Sequence, residues 1–402
     1  MRGVVDKINT ATHNAHCKEV PMKGIMRFSV LAVLTAVLVL AGCGGGSQQA
    51  TTGEPETIHI ALTAPITGDW SEYGVNFRRS VEMGIDYLNA NGGVLGRQLR
   101  LSVGDTGGSP QEAATLAQRW TSDPTIVAQI GSFSSSEAMA AQPIFDAEGM
   151  VQLSPTASHT DFAPGSDWSF GIVGTQAAEG PFMANFAYND LGLRRIAVLH
   201  LNNDWGIDTA RHFSDAFTRL GGEIVRTEFY FDGERDFTAV LTRLAATNAD
   251  GFFMASFFND GAAIARQKER IGWDVAFLGP SSLYSPQLIE LGGTAVDGLK
   301  TNVSFFGDDP DPRIQAYVSE FQQRFNARPN FHAALAYDAI ILLADAMERA
   351  GSTDRQAIRD ALAQTKDFPG LTGSITFTPA GDAQKEYRRL WVNSGRFEIW
   401  EG

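Results

Sequence analysis

From residue 57 onward, the apolar positions switch repeatedly between two spacings. Ile58, Ile60 and Leu62 alternate with His59 and Ala61, the period of a strand. Tyr73, Phe77, Val81, Ile85 and Leu88 then recur at helical spacing, and Asn91-Gly92-Gly93 supplies a stop. The next helix opens on Ser109, Pro110 and Glu112, a cap, a first-turn proline and the acid of a capping box. Ala113, Leu116, Ala117 and Trp120 form its apolar stripe. Short apolar runs at Ile126–Ile130, Met150–Leu153, Arg195–Leu201, Gly251–Ser256 and Val275–Gly279 predict further strands, with helical patterns between them. One such helix spans 207–220, with Ala210, Phe213, Phe217 and Leu220 on one face and Gly221-Gly222 at its end. Strand–helix alternation predicts an α/β fold of parallel sheets covered by helices. Some 345 ordered residues exceed what one such sheet usually holds, so two lobes are expected.

The first 56 residues follow different rules. Phe28–Leu40 is a thirteen-residue apolar run preceded by Arg27 and Lys23. It is shorter than the roughly twenty residues of a spanning helix and fits the core of a secretory signal peptide. Leu40-Ala41-Gly42-Cys43 follows at once and resembles a bacterial lipoprotein processing box, with the Cys43 thiol as the acylated group. Multiple acyl chains would make that cysteine a stable membrane anchor. Residues 44–56, GGGSQQATTGEPE, have the composition of a flexible tether. Residues 1–21 precede better starts at Met22 or Met26 and are read as an over-extended start, which leaves Cys17 outside the mature chain.

Composition narrows the function. The 402 residues carry 46 acidic and 32 basic side chains, a net charge of −14. Residues 1–42 hold five basic and two acidic groups, so cleavage there leaves 360 residues at −17. That balance argues against nucleic acid as a partner. An enzyme is not indicated: there is no Gly-x4-Gly-Lys-Ser/Thr loop, no Gly-x-Ser-x-Gly elbow and no HExxH. The histidines after Cys43 (His59, His159, His200, His212 and His332) show no metal-ligand spacing. No metal or cofactor is expected.

Ligands of open α/β sheets bind beyond the carboxyl ends of the strands. Two segments lie there. Gly131-Ser132-Phe133-Ser134-Ser135-Ser136 follows the strand at 126–130 and opens a helix, and Ser154-Pro155-Thr156-Ala157-Ser158 follows the strand at 150–153. Their hydroxyls and free backbone N–H groups suit an anion such as a carboxylate. The same serines could simply cap helices.

Several segments in order carry a family resemblance over roughly residues 57–400: ALTAPITGDWSEYG, LNANGGVLGRQL, DTGGSPQEAATLAQRW, IGSFSSSEAMAAQPIF, LSPTAS, RIAVLHLNNDWG, DFTAVLTRL, FLGPSSLYSPQLIELGG and ALAYDAIILLADAMERAG. Together they resemble the leucine/isoleucine/valine-type solute-binding proteins of ABC importers, with the type I periplasmic binding fold. The resemblance implies two Rossmann-like lobes with parallel sheets joined by a three-strand hinge. Lobe 1 would comprise 57–174 plus 304–388, and lobe 2 would comprise 175–303 plus 389–402. It also implies hinge closure on a small ligand, permease and ATPase subunits as partners, and an exported, lipid-anchored location.

Residue by residue, the resemblance puts Ser135 and Ser158 where the family holds a ligand carboxylate, and the Thr156 carbonyl where it meets an ammonium. Tyr73, Trp205 and Phe257 fall at aromatic wall positions, and Trp70 and Phe133 offer further walls. A family disulfide is absent, its positions lying near Gly108 and at Ser134. Two positions that are acidic in leucine-binding relatives are Ser281 and Gln176 here. A buried ammonium without an anion is costly, which makes Asp204 and Asp260 the candidate replacements. An amino acid leads as ligand. A non-amino-acid carboxylate, aromatic or short aliphatic, a neutral amide, and a sensory role on the same fold stay open.

Overall fold

The computed structural model of the protein describes residues 57–402. The signal sequence over 1–42, Cys17, Cys43 and the tether over 44–56 lie outside the described residues.

The first sheet comprises β1 (Ile58–Ala64), β2 (Leu99–Asp105), β3 (Ile126–Gly131), β4 (Val151–Ser154) and β5 (Ser169–Gly171), all parallel, in the order β2-β1-β3-β4-β5. Helices α1 (Ser71–Ala90), α2 (Pro110–Ser122) and α3 (Ser135–Ala147) alternate with its strands. All seven residues of β1 are buried, His59 included. Its alternation therefore separates two covered faces, as parallel sheets require. The His59 ring is accommodated by the hydroxyls of Thr125 (3.0 Å) and Ser102 (2.6 Å).

After α4 (Gln176–Asn185) the chain builds a second sheet with the same winding. Here β6 (Arg195–Leu201), β7 (Glu223–Tyr230), β8 (Gly251–Ala255), β9 (Ala276–Leu278) and β10 (Lys300–Val303) lie in the order β7-β6-β8-β9-β10. Between them run α5 (Asp204–Arg219), α6 (Thr238–Ala245), α7 (Phe258–Arg270) and α8 (Pro286–Gly292). The chain then returns to the first sheet with α9 (Pro312–Phe325), α10 (Phe331–Ala350) and α11 (Arg355–Ala363). The apolar helix α10 lies so close to α1 that a β-carbon on Gly84 would sit 2.4 Å from Ile340. A hairpin of β11 (Phe368–Gly370) and β12 (Gly373–Ile375) follows. Finally β13 (Arg388–Asn393) and β14 (Arg396–Ile399) add two antiparallel strands to the second sheet beside β10. The chain thus crosses between the lobes three times.

Two local predictions need correction. The sequence pattern starts a helix at 207 and leaves Trp205 in a polar loop. Asn203 instead caps the helix, its side chain accepting from the Gly206 N–H at 2.8 Å. That cap draws Asp204 and Trp205 into the first turn of α5. At Ser109 the cap forms, with its hydroxyl accepting from the Glu112 N–H at 3.3 Å. The reciprocal capping box is found at Ser134 and Glu137, where α3 begins.

Candidate functional site

The lobes meet over a cavity of ≈ 20 Å³ at the carboxyl ends of their parallel strands. A space of that size admits about one water molecule. Gly131, at the end of β3, lets the chain turn tightly beside β1 into the serine segment: its φ is +123°, and a β-carbon there would lie 2.1 Å from the Thr63 carbonyl oxygen.

The first lobe contributes hydroxyls and a helix start. Ser134 is spent on capping: its hydroxyl accepts from the Glu137 N–H at 3.2 Å, while its own N–H and O–H donate to the Glu137 carboxylate at 2.9 Å. Ser135 opens α3, where first-turn N–H groups lack helical acceptors and the dipole favours an anion. The Ser135 hydroxyl oxygen accepts from the N–H groups of Ser158 and His159, each at 3.2 Å. Its proton therefore stays free to donate. The Ser158 hydroxyl likewise accepts, from the Gln176 amide at 2.9 Å. The Thr156 hydroxyl donates to the Phe133 carbonyl at 2.6 Å.

The opposite side is rich in acceptors. Glu179, buried one turn along α4 from Gln176, lines the cavity with it. One oxygen of Glu179 accepts from the Ser281 N–H at 2.7 Å and from the Asn302 amide at 2.9 Å. The other accepts from the Gln176 amide at 3.0 Å. The remaining oxygens of Gln176 and Asn302 are buried without any donor. A carboxylate and an unpaired amide oxygen on one cavity wall are a place for a cationic donor.

Aromatic rings fill the rest. Trp205 stacks on Phe257 with centroids 4.5 Å apart, and Phe133 stacks on Tyr73 at 4.3 Å. Phe133 and Phe257 meet across the cavity at 5.1 Å. His332 lies 4.8 Å from the Tyr73 ring, and full burial pulls its pKa down to about 3. Tyr73 bridges the lobes, its hydroxyl oxygen accepting from the Phe258 N–H at 3.0 Å.

Nine of the thirteen residues expected at the site line this cavity: Phe133, Ser134, Ser135, Thr156, Ser158, Gln176, Trp205, Phe257 and Ser281. Tyr73 stands behind Phe133. Asp204 is exposed in the first turn of α5. Trp70 and Asp260 line an adjoining depression of ≈ 260 Å³ that shares Phe257 with the cavity, together with Asp69, Asp232 and Arg235. There Asp260 accepts from the Tyr230 hydroxyl at 3.1 Å, and burial pushes its carboxyl up to about 6. Sequence reasoning missed Glu179, Asn302 and His332. Glu179 could have been found from helical spacing alone, three residues beyond Gln176 on a helix that begins there.

Comparison with known proteins adds an independent line. The family described as periplasmic binding protein matches residues 57–394. The chain is 26% identical over 361 residues to the leucine-, isoleucine-, valine-, threonine- and alanine-binding protein of Pseudomonas aeruginosa, covering 90% of this chain and 94% of that one. The crystal structure of a leucine-binding protein from Thermotoga maritima is similar with a TM-score of 0.80 and 28% identity, covering 86% of this chain and 98% of the other. A solute-binding protein of an ABC transporter from Rhodopseudomonas palustris, in complex with 3,4-dihydroxybenzoic acid, shares the fold with a TM-score of 0.78 and 21% identity. The shares covered are 84% and 93%.

Proposed function

The chain belongs to the periplasmic binding protein family, and on that premise we propose that it is the receptor of an ABC importer that closes on an amino acid gripped by both charged groups. The ligand carboxylate would take the Ser135 and Ser158 hydroxyls and the start of α3. The ammonium would take Glu179 and the orphaned oxygen of Gln176, with the Asn302 amide holding the carboxylate in place. That acceptor cluster is the observation that carries the reading, because a ligand without a cationic donor leaves the Glu179 carboxylate without a counter-charge and the Gln176 oxygen without a donor. The names of the Pseudomonas and Thermotoga relatives support the same class.

Entry requires the lobes to part. The cavity of ≈ 20 Å³ is far too small for a side chain such as leucine while Phe133, Trp205 and Phe257 stay in place. Hinge opening at the three crossings admits the ligand, and closure then presents one defined face to a permease. Acylated Cys43 would tether the receptor to a membrane, and intact mass of the exported protein tests that assignment.

A second reading takes an aromatic carboxylate in place of the amino acid. It rests on the five clustered rings and on the dihydroxybenzoate complex of the Rhodopseudomonas relative. Calorimetry with alanine or leucine, their deaminated acids propionate and 4-methylpentanoate, and benzoate separates the two. The amino-acid reading expects binding to require both charged groups. Tighter binding of benzoate or a deaminated acid would overturn it.

A further inference from the structure

A second, larger cavity of ≈ 410 Å³ lies at the other end of the second sheet, where β9 and β10 begin. Its volume falls in the range of small-molecule sites. The walls are the C-terminal half of α7, the approach to β9 through Trp273 and Phe277, and the approach to β10 ending in Lys300. It shares no lining residue with the cavity between the lobes.

The charges in it are arranged by depth. Lys268 is buried and Lys300 half-buried, whereas Glu269, Asp274 and Asp297 stand exposed at the rim. Among the described residues, neither ammonium forms an ion pair or a hydrogen bond. The Lys268 ammonium sits 4.6 Å from the centroid of Phe277. Burial holds both lysines below the ordinary lysine value, and Lys300 lowers Lys268 further against the opposing pull of Asp274 and Glu269. Desolvating two ammonium groups in one cavity is costly unless an anion joins them. The chain supplies three carboxylates at the rim, yet among the described residues none of them forms an ion pair with either lysine.

We propose that this cavity is a second ligand site for an aromatic carboxylate, its acid group between Lys268 and Lys300 and its ring against Phe277 and Trp273. The acidic rim restricts such a site to small monoanions, because polyanions meet Glu269, Asp274 and Asp297 before they reach the lysines.

The test titrates 2-naphthoate into the purified protein, into a Lys268→Met/Lys300→Met variant and into a Ser135→Ala/Ser158→Ala variant, read by calorimetry. Methionine keeps most of the stem volume and removes the charges. The expected result is saturable binding to wild type, weakened about tenfold or more by the methionines and unchanged by the alanines. In wild type, 2-naphthoate should also shield Lys268 and Lys300 from trinitrobenzenesulfonate relative to exposed Lys366, a readout independent of how the variants fold. Equal affinity in the methionine variant, loss confined to the alanine variant, absence of saturable binding, or labelling unaffected by naphthoate would each overturn the proposal.

Discussion

Replacing Glu179 by glutamine removes one charge from the centre of the cleft and little else. The glutamine oxygen can keep the Ser281 N–H and the Asn302 amide, now at 2.7 and 2.9 Å from the carboxylate. Its NH2 would then face the Gln176 amide, a donor against a donor. Gln176 resolves that clash by turning its amide over, which brings its unpartnered oxygen to the new donor. The folded state therefore loses on the order of 1 kcal/mol or less. Ligand binding loses far more if an ammonium docks there. Removing one partner of a buried ion pair costs about 3–5 kcal/mol, which at 1.4 kcal/mol per decade is roughly two to three and a half decades in Kd. Calorimetry with alanine and leucine reads the affinity, and thermal unfolding without ligand reads the fold. Wild-type affinity for amino acids in a folded Glu179→Gln protein would refute the assignment. So would a parallel loss of affinity for 4-methylpentanoate, since that molecule has no ammonium to miss the charge.

Four other substitutions separate the roles of neighbouring groups. Tyr73→Phe should weaken ligand binding by about one to two decades, because the Phe258 N–H then loses its partner in the closed state at about 1–3 kcal/mol; Arg235→Ala, which removes an exposed cross-lobe pair with Asp69, should cost no more than about 1 kcal/mol. Equal effects of the two in a titration would contradict this ranking. Asp260 has its folded pKa raised to about 6 from 3.8, so its contribution to stability is complete below pH 3.8 and is lost as pH rises through 6. Asp260→Asn should therefore stabilise the protein at pH 7 by up to about 3 kcal/mol, with no gain at pH 3.5, in urea unfolding. His332 has the opposite sign. Its folded pKa is lowered to about 3 from 6.5, so its contribution is present above pH 6.5 and fades as pH falls toward 3. His332→Phe should flatten the unfolding curve of the protein between pH 7 and pH 5 by about 2 kcal/mol, and an unchanged pH slope would show that His332 is not held neutral.

Strands β1, β3, β4, β6, β8 and β9 were legible because they are largely buried on both sides, so their apolar runs are short and dense, whereas β2, β5 and β10 were not. Nor was the edge strand β7. It exposes Glu223, Arg226, Thr227 and Phe229 to solvent, so its β-branched and aromatic residues show no clean apolar–polar alternation. Position along the chain identified the serine side of the site for a related reason. Ser135 and Ser158 sit directly after β3 and β4, where topology alone sends a ligand. The acceptor side is built differently, from α4, β10 and the turn after β9, which meet only in the folded chain. Reading it position by position finds serine and glutamine where the family resemblance implies acids. Three residues past Gln176, the helix returns to the same face and delivers Glu179 to the gap. Ser281 now gives its N–H to that carboxylate. On the proposed reading, the carboxylate comes from one helical turn beyond the position at which the family resemblance implies an acid. An ammonium reads that carboxylate through hydrogen bonds and has no means of sensing which residue number supplies them, so recognition can survive a sequence change that looks like its loss.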